Sequence, residues 1–209
     1  MDEYWNGRFK NGGMIWGAEP SPTAAEAAEW FAGSGVKRVL VPGAGYGRNT
    51  KAFSERFRTE GIELSAEAVK LAEAWDPLTV FRQGSVLDPD GTDGPFDGIY
   101  AYDILHLFLA GERERLIANC REWLSAGGLI YVTCFSDEDP HCGTGPCVEE
   151  GTYEYSPGKY AHFFTEQDLL AHFGGFQVLS TGTREETLRY GSGEEKRYIL
   201  RILTARKPS

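Results

Sequence analysis

The sequence predicts an α/β fold in which helices cover both faces of a mostly parallel sheet, and three observations carry that reading. Short apolar strands alternate with helical segments over residues 36–135. Parallel strands need crossovers, and this alternation supplies them. A glycine-rich turn, Gly43-Ala44-Gly45-Tyr46-Gly47, joins the first strand to the helix after it. Finally, two apolar runs near the C-terminus, 176–181 and 198–204, are linked by a polar stretch without a crossover helix, so they pair antiparallel.

The elements follow in order. Residues 1–20 are rich in Gly, Trp and Asn and show no clear period. Ser21-Pro22 opens a helix, with Ser as N-cap and Pro in the first turn, and Gly33-Ser34-Gly35 closes it. Residues 36–41 are apolar and β-branched, which predicts a buried strand. A helix is expected over 47–57, a short strand over 61–64, a helix over 65–74 capped by Ser65, and a strand over 79–83. The turn-rich segment 88–95 leads to a strand over 96–101. A helix over 112–124 sets Leu116, Cys120, Trp123 and Leu124 on one face; Gly127-Gly128 ends it, and 129–135 is a strongly apolar strand. Residues 136–164 predict a long irregular stretch, and Thr165-Glu166-Gln167-Asp168 reads as a helix start. The organisation expected is one domain over 1–209: an arm and helix (1–35), a core (36–135), and a loop with a C-terminal hairpin (136–209).

Composition narrows the function. The chain has 209 residues, 41% of them hydrophobic and 25% charged, which suits one globular domain. Its apolar runs are all shorter than the roughly 20 residues a membrane helix needs. The start, Met1-Asp2-Glu3-Tyr4-Trp5-Asn6, is acidic and polar, unlike a secretory signal, so a cytoplasmic protein is expected. A formal net charge of −10 disfavours a nucleic-acid partner, because such binders neutralise phosphates with Lys and Arg. Cys120, Cys134, Cys142 and Cys147 lack the paired spacing of zinc sites, and no metal is expected.

The glycine turn carries the functional argument. Glycine permits the tight turn and a close ligand approach, and the following N-terminus presents free N–H groups. The dinucleotide fingerprint requires a third glycine five residues after the first; Arg48 stands there, and the pattern is G-x-G-x-G. Glu63 closes the second strand twenty residues after Gly43, a spacing at which a carboxylate accepts ribose hydroxyls. Gln83-Gly84-Ser85-Val86-Leu87-Asp88 follows the third strand. Phe96-Asp97-Gly98-Ile99 leads to Leu105-His106-Leu107, and Leu124-Ser125-Ala126-Gly127-Gly128-Leu129-Ile130 completes the series.

In this order, over roughly 36–135, the five elements resemble the motifs of class I S-adenosylmethionine-dependent methyltransferases. The resemblance implies a Rossmann-like, doubly wound, mostly parallel seven-stranded sheet with an antiparallel C-terminal strand. It implies S-adenosyl-L-methionine as cofactor, S-adenosyl-L-homocysteine as product, and methyl transfer by direct displacement to a small molecule. Cofactor contacts fall on Gly43, Ala44, Gly45, Gly47, Arg48, Asn49, Glu63, Leu64, Ser85, Val86 and Tyr102. Ser85 stands where the family more usually has Asp. The arm, Trp5…Arg8-Phe9…Gly12-Gly13-Met14-Ile15-Trp16-Gly17, resembles that of tellurite-resistance-type and thiopurine or halide/thiol methyltransferases, which points to a thiol or metalloid acceptor. Six carboxylates between Asp137 and Glu154 are expected to rim the acceptor site and repel anions.

Several residues admit two readings. Trp5 and Trp16 either form an aromatic lid over a cationic sulfonium or anchor the arm to the core. Arg48 and Asn49 either hold the methionine carboxylate or cap the helix start. Asp103, His106 and His162 are the candidate acid–base residues, each with a packing or capping alternative. Gly145-Pro146-Cys147 resembles the cytosine-C5 methyltransferase nucleophile but follows the wrong strand. Two rivals remain for the whole chain: a non-catalytic S-adenosylmethionine or nucleoside binder, and a nucleotide-cofactor oxidoreductase. Nothing in the sequence sets the oligomeric state.

Overall fold

The computed structural model describes residues 2–88, 92 and 94–209; part of the turn-rich segment 88–95 therefore lies outside the described residues. Seven strands form the main sheet: β1 (Arg38–Pro42), β2 (Arg58–Glu63), β3 (Val80–Gln83), β4 (Phe96–Tyr102), β5 (Leu124–Phe135), β9 (Gln177–Arg189) and β10 (Glu195–Arg206). Their order is β3-β2-β1-β4-β5-β10-β9. Strands β1 to β5 run parallel, and β10 inserts antiparallel between β5 and β9. The order reverses between β1 and β4, which places a ligand crevice over the carboxyl ends of those strands.

Successive strand residues point to opposite faces, and each face has its own core. Val39, Val41, Tyr100 and Tyr131 pack with Ala24, Ala28 and Phe31 of α2 (Pro22–Gly33) and with Phe53 of α3 (Lys51–Ser54). Leu40, Ile99, Ile130 and Val132 pack on the other face. They meet Leu116 and Trp123 of α5 (Ala110–Trp123) and Leu169 of α6 (Glu166–His172). Ser21 caps α2 through its hydroxyl, Ser65 caps α4 (Ala66–Trp75), and Thr165 caps α6.

Four expectations change. Residues 2–12 form a helix, α1 (Asp2–Gly12), where no period was visible. Its glycines weaken intrinsic propensity, and the helix rests instead on tertiary packing of Trp5 and Phe9 against Trp16 and Tyr46. The helix expected over 47–57 shrinks to α3. Gly47 holds φ +81, and the Thr50 hydroxyl donates to the Gly47 carbonyl and the Asp76 carboxylate, so the turn continues to Thr50.

The stretch 136–164 is not irregular throughout. It carries a small antiparallel sheet of β6 (Cys147–Glu149), β7 (Thr152–Ser156) and β8 (Lys159–His162), with a turn at Gly158. The C-terminal strands are twice the expected length. Polar Thr, Arg and Glu residues of β9 lie at an edge with few buried positions, so they give no apolar signal. Among the described residues, no helix is long and apolar enough to cross a membrane.

Candidate active site

The crevice above β1 and β4 opens into a cavity of about 760 Å³. On one side of it the chain turns sharply after β1, with Gly43 at φ +69 and Gly45 at φ +57. A Cβ on Gly43 would strike the Ile104 side chain at 2.1 Å, whereas one on Gly45 would meet nothing closer than 3.9 Å. Gly43 therefore suits both the left-handed turn and the close approach of Ile104, and Gly45 leaves open space beside the cavity.

Glu63, at the end of β2, braces this turn. One carboxylate oxygen accepts from the Gly45 N–H at 2.8 Å and the other from the Ser65 N–H at 2.8 Å. Next to it, Asn119 of α5 donates to the Val86 carbonyl at 2.9 Å, and the Ser85 hydroxyl accepts from the Leu87 N–H at 3.2 Å. These bonds hold the loop after β3 in a fixed shape at the cavity wall.

Arg48 is buried, and its guanidinium donates to the Tyr102 hydroxyl at 3.1 Å and to the Glu19 carbonyl at 3.3 Å. Glu186 of β9 lies 3.9 Å away. Burial opposes the charge on Arg48, but Tyr102, Tyr46 and Glu186 outweigh it and raise its pKa. Glu186 is itself buried and accepts from the Tyr102 hydroxyl at 3.0 Å and the Ser21 hydroxyl at 2.8 Å. Asn49 accepts from the Ser21 N–H at 2.8 Å, so its side-chain oxygen serves the start of α2.

The candidate acid–base residues separate. Asp103 lines the cavity at φ +48, with its carboxylate accepting from the Thr133 hydroxyl at 2.7 Å. Its remoteness from bulk solvent pushes the carboxyl up to about 7; Glu186 adds to this, while the Thr133 hydrogen bond and Arg48 oppose it. His106 also lines the cavity, stacked on Phe135 at 3.7 Å. Burial holds its pKa down at about 3, so the imidazole is neutral, and Nδ1 has no hydrogen-bond partner among the described residues.

His162 belongs elsewhere and does not line the cavity. Its Nε2 lies 2.6 Å from Asp168 and its Nδ1 2.7 Å from Thr152, which ties β8 to α6. With both ring nitrogens engaged, the imidazole is a structural strut rather than a base. Gly47 likewise does not line the cavity: a Cβ there would meet Phe81, Thr50 and Ala72, so this glycine serves close packing. Gly43, Ala44, Gly45, Arg48, Asn49, Glu63, Leu64, Ser85, Val86, Tyr102, Trp5 and Trp16 all line it.

Residues 39–128 match the family model of the methyltransferase domain. A solved S-adenosylmethionine-dependent methyltransferase from Methanosarcina mazei superposes with a TM-score of 0.71 at 20% identity, covering 91% of this chain and 99% of that one. The 1,6-didemethyltoxoflavin-N1-methyltransferase of Burkholderia thailandensis, solved with S-adenosylhomocysteine, superposes with a TM-score of 0.70 at 22% identity, covering 100% and 87%. This is the class I S-adenosylmethionine-dependent methyltransferase fold. Among curated proteins, the chain is similar to tRNA N(3)-methylcytidine methyltransferase Mettl2 of Drosophila melanogaster, 24% identical over 187 residues. It covers 81% of this chain but 54% of that protein, so the chain spans about half the length of that relative.

The cofactor of such a methyltransferase domain is S-adenosylmethionine, and the residues present fit it. Glu63 presents a carboxylate to the cavity, Gly45 leaves the turn open, and rings suited to a sulfonium stand nearby. Those rings are Trp5, Phe9, Trp16 and Tyr46, with centroids about 6 Å apart in successive pairs. Tyr46 fixes the strand of chain after α1: its hydroxyl accepts from the Trp16 N–H at 3.1 Å and donates to the Gly17 carbonyl at 2.8 Å. Burial pushes that hydroxyl up to about 12, with Arg48 opposing.

Three functional features escaped the sequence reading. Glu186 lies in a polar edge strand and gave no motif. Asn119 sat unremarked on a helix. The aromatic wall of Phe135, Tyr190 and Tyr198 draws its rings from three separate elements. The six carboxylates of 137–154 are mostly engaged rather than free. Arg201 pairs with Asp137 at 2.5 Å and Glu138 at 3.0 Å, Arg113 pairs with Glu149 at 2.8 Å, and Glu154 accepts from the Gly158 N–H at 2.6 Å. Asp139 is buried. None of the six is among the residues that line the cavity, so they do not rim it as expected, and their charge faces the surrounding surface and its ion pairs instead.

Proposed function

We propose that the chain transfers a methyl group from S-adenosylmethionine to a small molecule held in the aromatic part of the cavity. The observation that carries this reading is the continuity of one cavity from Glu63 and the glycine turn to Phe135, Phe163 and Tyr198. Its volume lies in the range of small-ligand sites. When bound, the cofactor supplies a methyl group already activated by the positive sulfonium. The chain's part is alignment and exclusion of water. Glu63 accepts the ribose hydroxyls, Arg48 stands ready for the methionine carboxylate, and the Trp5–Trp16 cluster closes the cofactor side. The likeness of the arm to the tellurite-resistance and thiol group keeps thiols and metalloids among the candidate acceptors.

The test is calorimetric titration with S-adenosylmethionine and S-adenosylhomocysteine, followed by methyl-label transfer to a panel of thiols, phenols, small amines, metalloid oxyanions and bulk tRNA. Micromolar binding and label in a small molecule are expected. Binding without any S-adenosylhomocysteine formed would make the chain a cofactor binder, and tight binding of a dinucleotide instead would make it an oxidoreductase. A tRNA acceptor is the second reading, favoured by the name of the curated relative. It predicts label in tRNA with steep salt dependence; the net charge of −10 argues against that outcome.

A further inference from the structure

A second set of groups faces the cavity from the loop after β5. His141 lines the cavity with its side chain half exposed. Its partner Asp139 has a fully buried side chain. One Asp139 oxygen accepts from the Ile199 N–H of β10 at 2.6 Å, which pins the loop to the hairpin. The other accepts from the His141 N–H at 2.8 Å and lies 2.7 Å from His141 Nδ1. A carboxylate at Nδ1 sets the tautomer with the proton on that nitrogen, which leaves the Nε2 lone pair available. The two backbone bonds alone would hold the loop; the ring contact additionally orients the imidazole.

The imidazole also ends a column of rings. His141 stacks on Tyr198 at 5.4 Å and 28°, Tyr198 on Phe135 at 5.3 Å and 2°, and Phe135 on His106 at 3.7 Å and 11°. The column forms one wall of the cavity, with neutral His106 at its buried end and His141 at its open end. Ring edges and faces spaced this way suit a planar aromatic guest.

We propose that His141, oriented by Asp139, is the general base that takes the proton of the methyl acceptor. The acceptor is then a flat aromatic molecule whose nucleophilic hydroxyl or ring N–H keeps its proton at neutral pH. The proposal rests on the methyl-transfer reading. In the step, the acceptor heteroatom bonds to the methyl carbon, and the carbon–sulfur bond breaks with its electron pair remaining on sulfur. The acceptor's proton passes to Nε2, and the half-exposed ring returns it to water.

The groups facing His141 are consistent with this division of labour. Burial and the hydrogen bond with Tyr190 at 3.0 Å keep Tyr198 protonated, so it does not act as a base. Cys142 is raised as well, by burial and by Asp137 and Asp139. Lys196 lines the same cavity, 3.4 Å from Glu194. Arg201 takes up Asp137 and Glu138. Asp103 is the competing base, and the experiment separates the two.

The experiment compares two phenols in label transfer: 4-methylphenol, which keeps its proton at about pH 8, and 4-nitrophenol, which is largely ionised there. His141→Gln is expected to lower kcat for 4-methylphenol about 100-fold. It should leave 4-nitrophenol within about threefold, since an ionised acceptor needs no base. Asp139→Asn should lower kcat for 4-methylphenol in the same selective way and spare 4-nitrophenol, because the ring loses the carboxylate that orients it. Unchanged S-adenosylhomocysteine affinity in both variants checks the fold and the cofactor half. Equal losses for the two phenols, or no loss for either, would overturn the proposal. Wild-type protein that binds S-adenosylhomocysteine but methylates neither phenol would overturn the acceptor class. A wild type that binds no cofactor would overturn the methyl-transfer reading itself.

Discussion

The two halves of the cavity are built from different material. The half proposed for the cofactor is largely main chain drawn from a short stretch: the Gly43–Gly47 turn, the end of β2 at Glu63, and the loop at Ser85–Val86. Its side chains mostly brace backbone, as Glu63 does for Gly45 and Ser65 and Asn119 does for Val86. The half proposed for the acceptor is a set of side chains from distant elements, with Phe135, His141, Phe163, Tyr190 and Tyr198 meeting only in the folded chain. A site made of backbone tolerates few residue types at each turn position, so it leaves a motif. A wall made of rings can be supplied by many residues on many elements, so it leaves none.

The largest effect expected comes from breaking the main-chain half. Gly45→Val places a branched side chain at a position with φ +57 and open space toward the cavity, which both strains the turn and fills the ligand's volume. Binding of S-adenosylhomocysteine should fall more than about 100-fold. Glu63→Ala should weaken it by about 1–3 kcal/mol, through the lost ribose acceptor and two unbraced N–H groups. Calorimetric titration of folded variants measures both. If both bind like wild type, the cofactor half has been placed in the wrong part of the cavity.

A smaller effect tests the seam between the halves. Asp103 has a carboxyl raised from its ordinary 3.8 to about 7, so the folded protein holds that proton more tightly than the unfolded chain does. Its contribution to stability is complete below about pH 4 and is lost as pH rises through about 7. Asp103→Asn keeps an acceptor for the Thr133 hydroxyl without the charge. It should therefore stabilise the protein at pH 8, by on the order of 1 kcal/mol since the carboxyl lines the cavity, and have little effect near pH 4. Urea unfolding at the two pH values decides the matter. An equal gain at both would show that the carboxyl does not titrate in this window.

The same contrast explains what the sequence disclosed. The strand–helix alternation and the antiparallel C-terminal strand were visible because apolar periodicity follows sheet burial, as Leu40, Ile99 and Ile130 show on one face and Val39, Val41 and Tyr100 on the other. Gly43, Gly45 and Glu63 were visible because their spacing is local. Glu186 was hidden because a buried carboxylate in a polar edge strand looks like any solvated one. His141 was hidden because nothing in Asp139-Pro140-His141 foretells that Ile199 and Tyr198 will meet it. His162 attracted notice in its aromatic run, but of that run it is Ala161 and Phe163 that line the cavity, while the imidazole ties β8 to α6. Helix α1 was missed because its stability is borrowed from rings elsewhere in the chain.

That borrowed stability supplies the finest test. An eleven-residue helix with glycines at positions 7 and 12 is marginal by itself and persists through docking. Asn6 fastens it by accepting from the Ser65 hydroxyl at 2.8 Å, and Trp5 and Phe9 fasten it through Trp16 and Tyr46. The same rings line the cofactor side of the cavity. A ligand lodged against them adds contacts to α1 that exist only in the bound state, so local opening of the arm should become rarer. Amide exchange in residues 6–18 should slow about tenfold at saturating S-adenosylhomocysteine, equivalent to about 1.4 kcal/mol of local stability. Residues 112–123 of α5, away from these rings, should change less. Exchange that is equally slow with and without ligand would mean that the ring cluster is already closed. Trp5 and Trp16 would then anchor the arm, and the cofactor half would be as rigid as its backbone construction suggests.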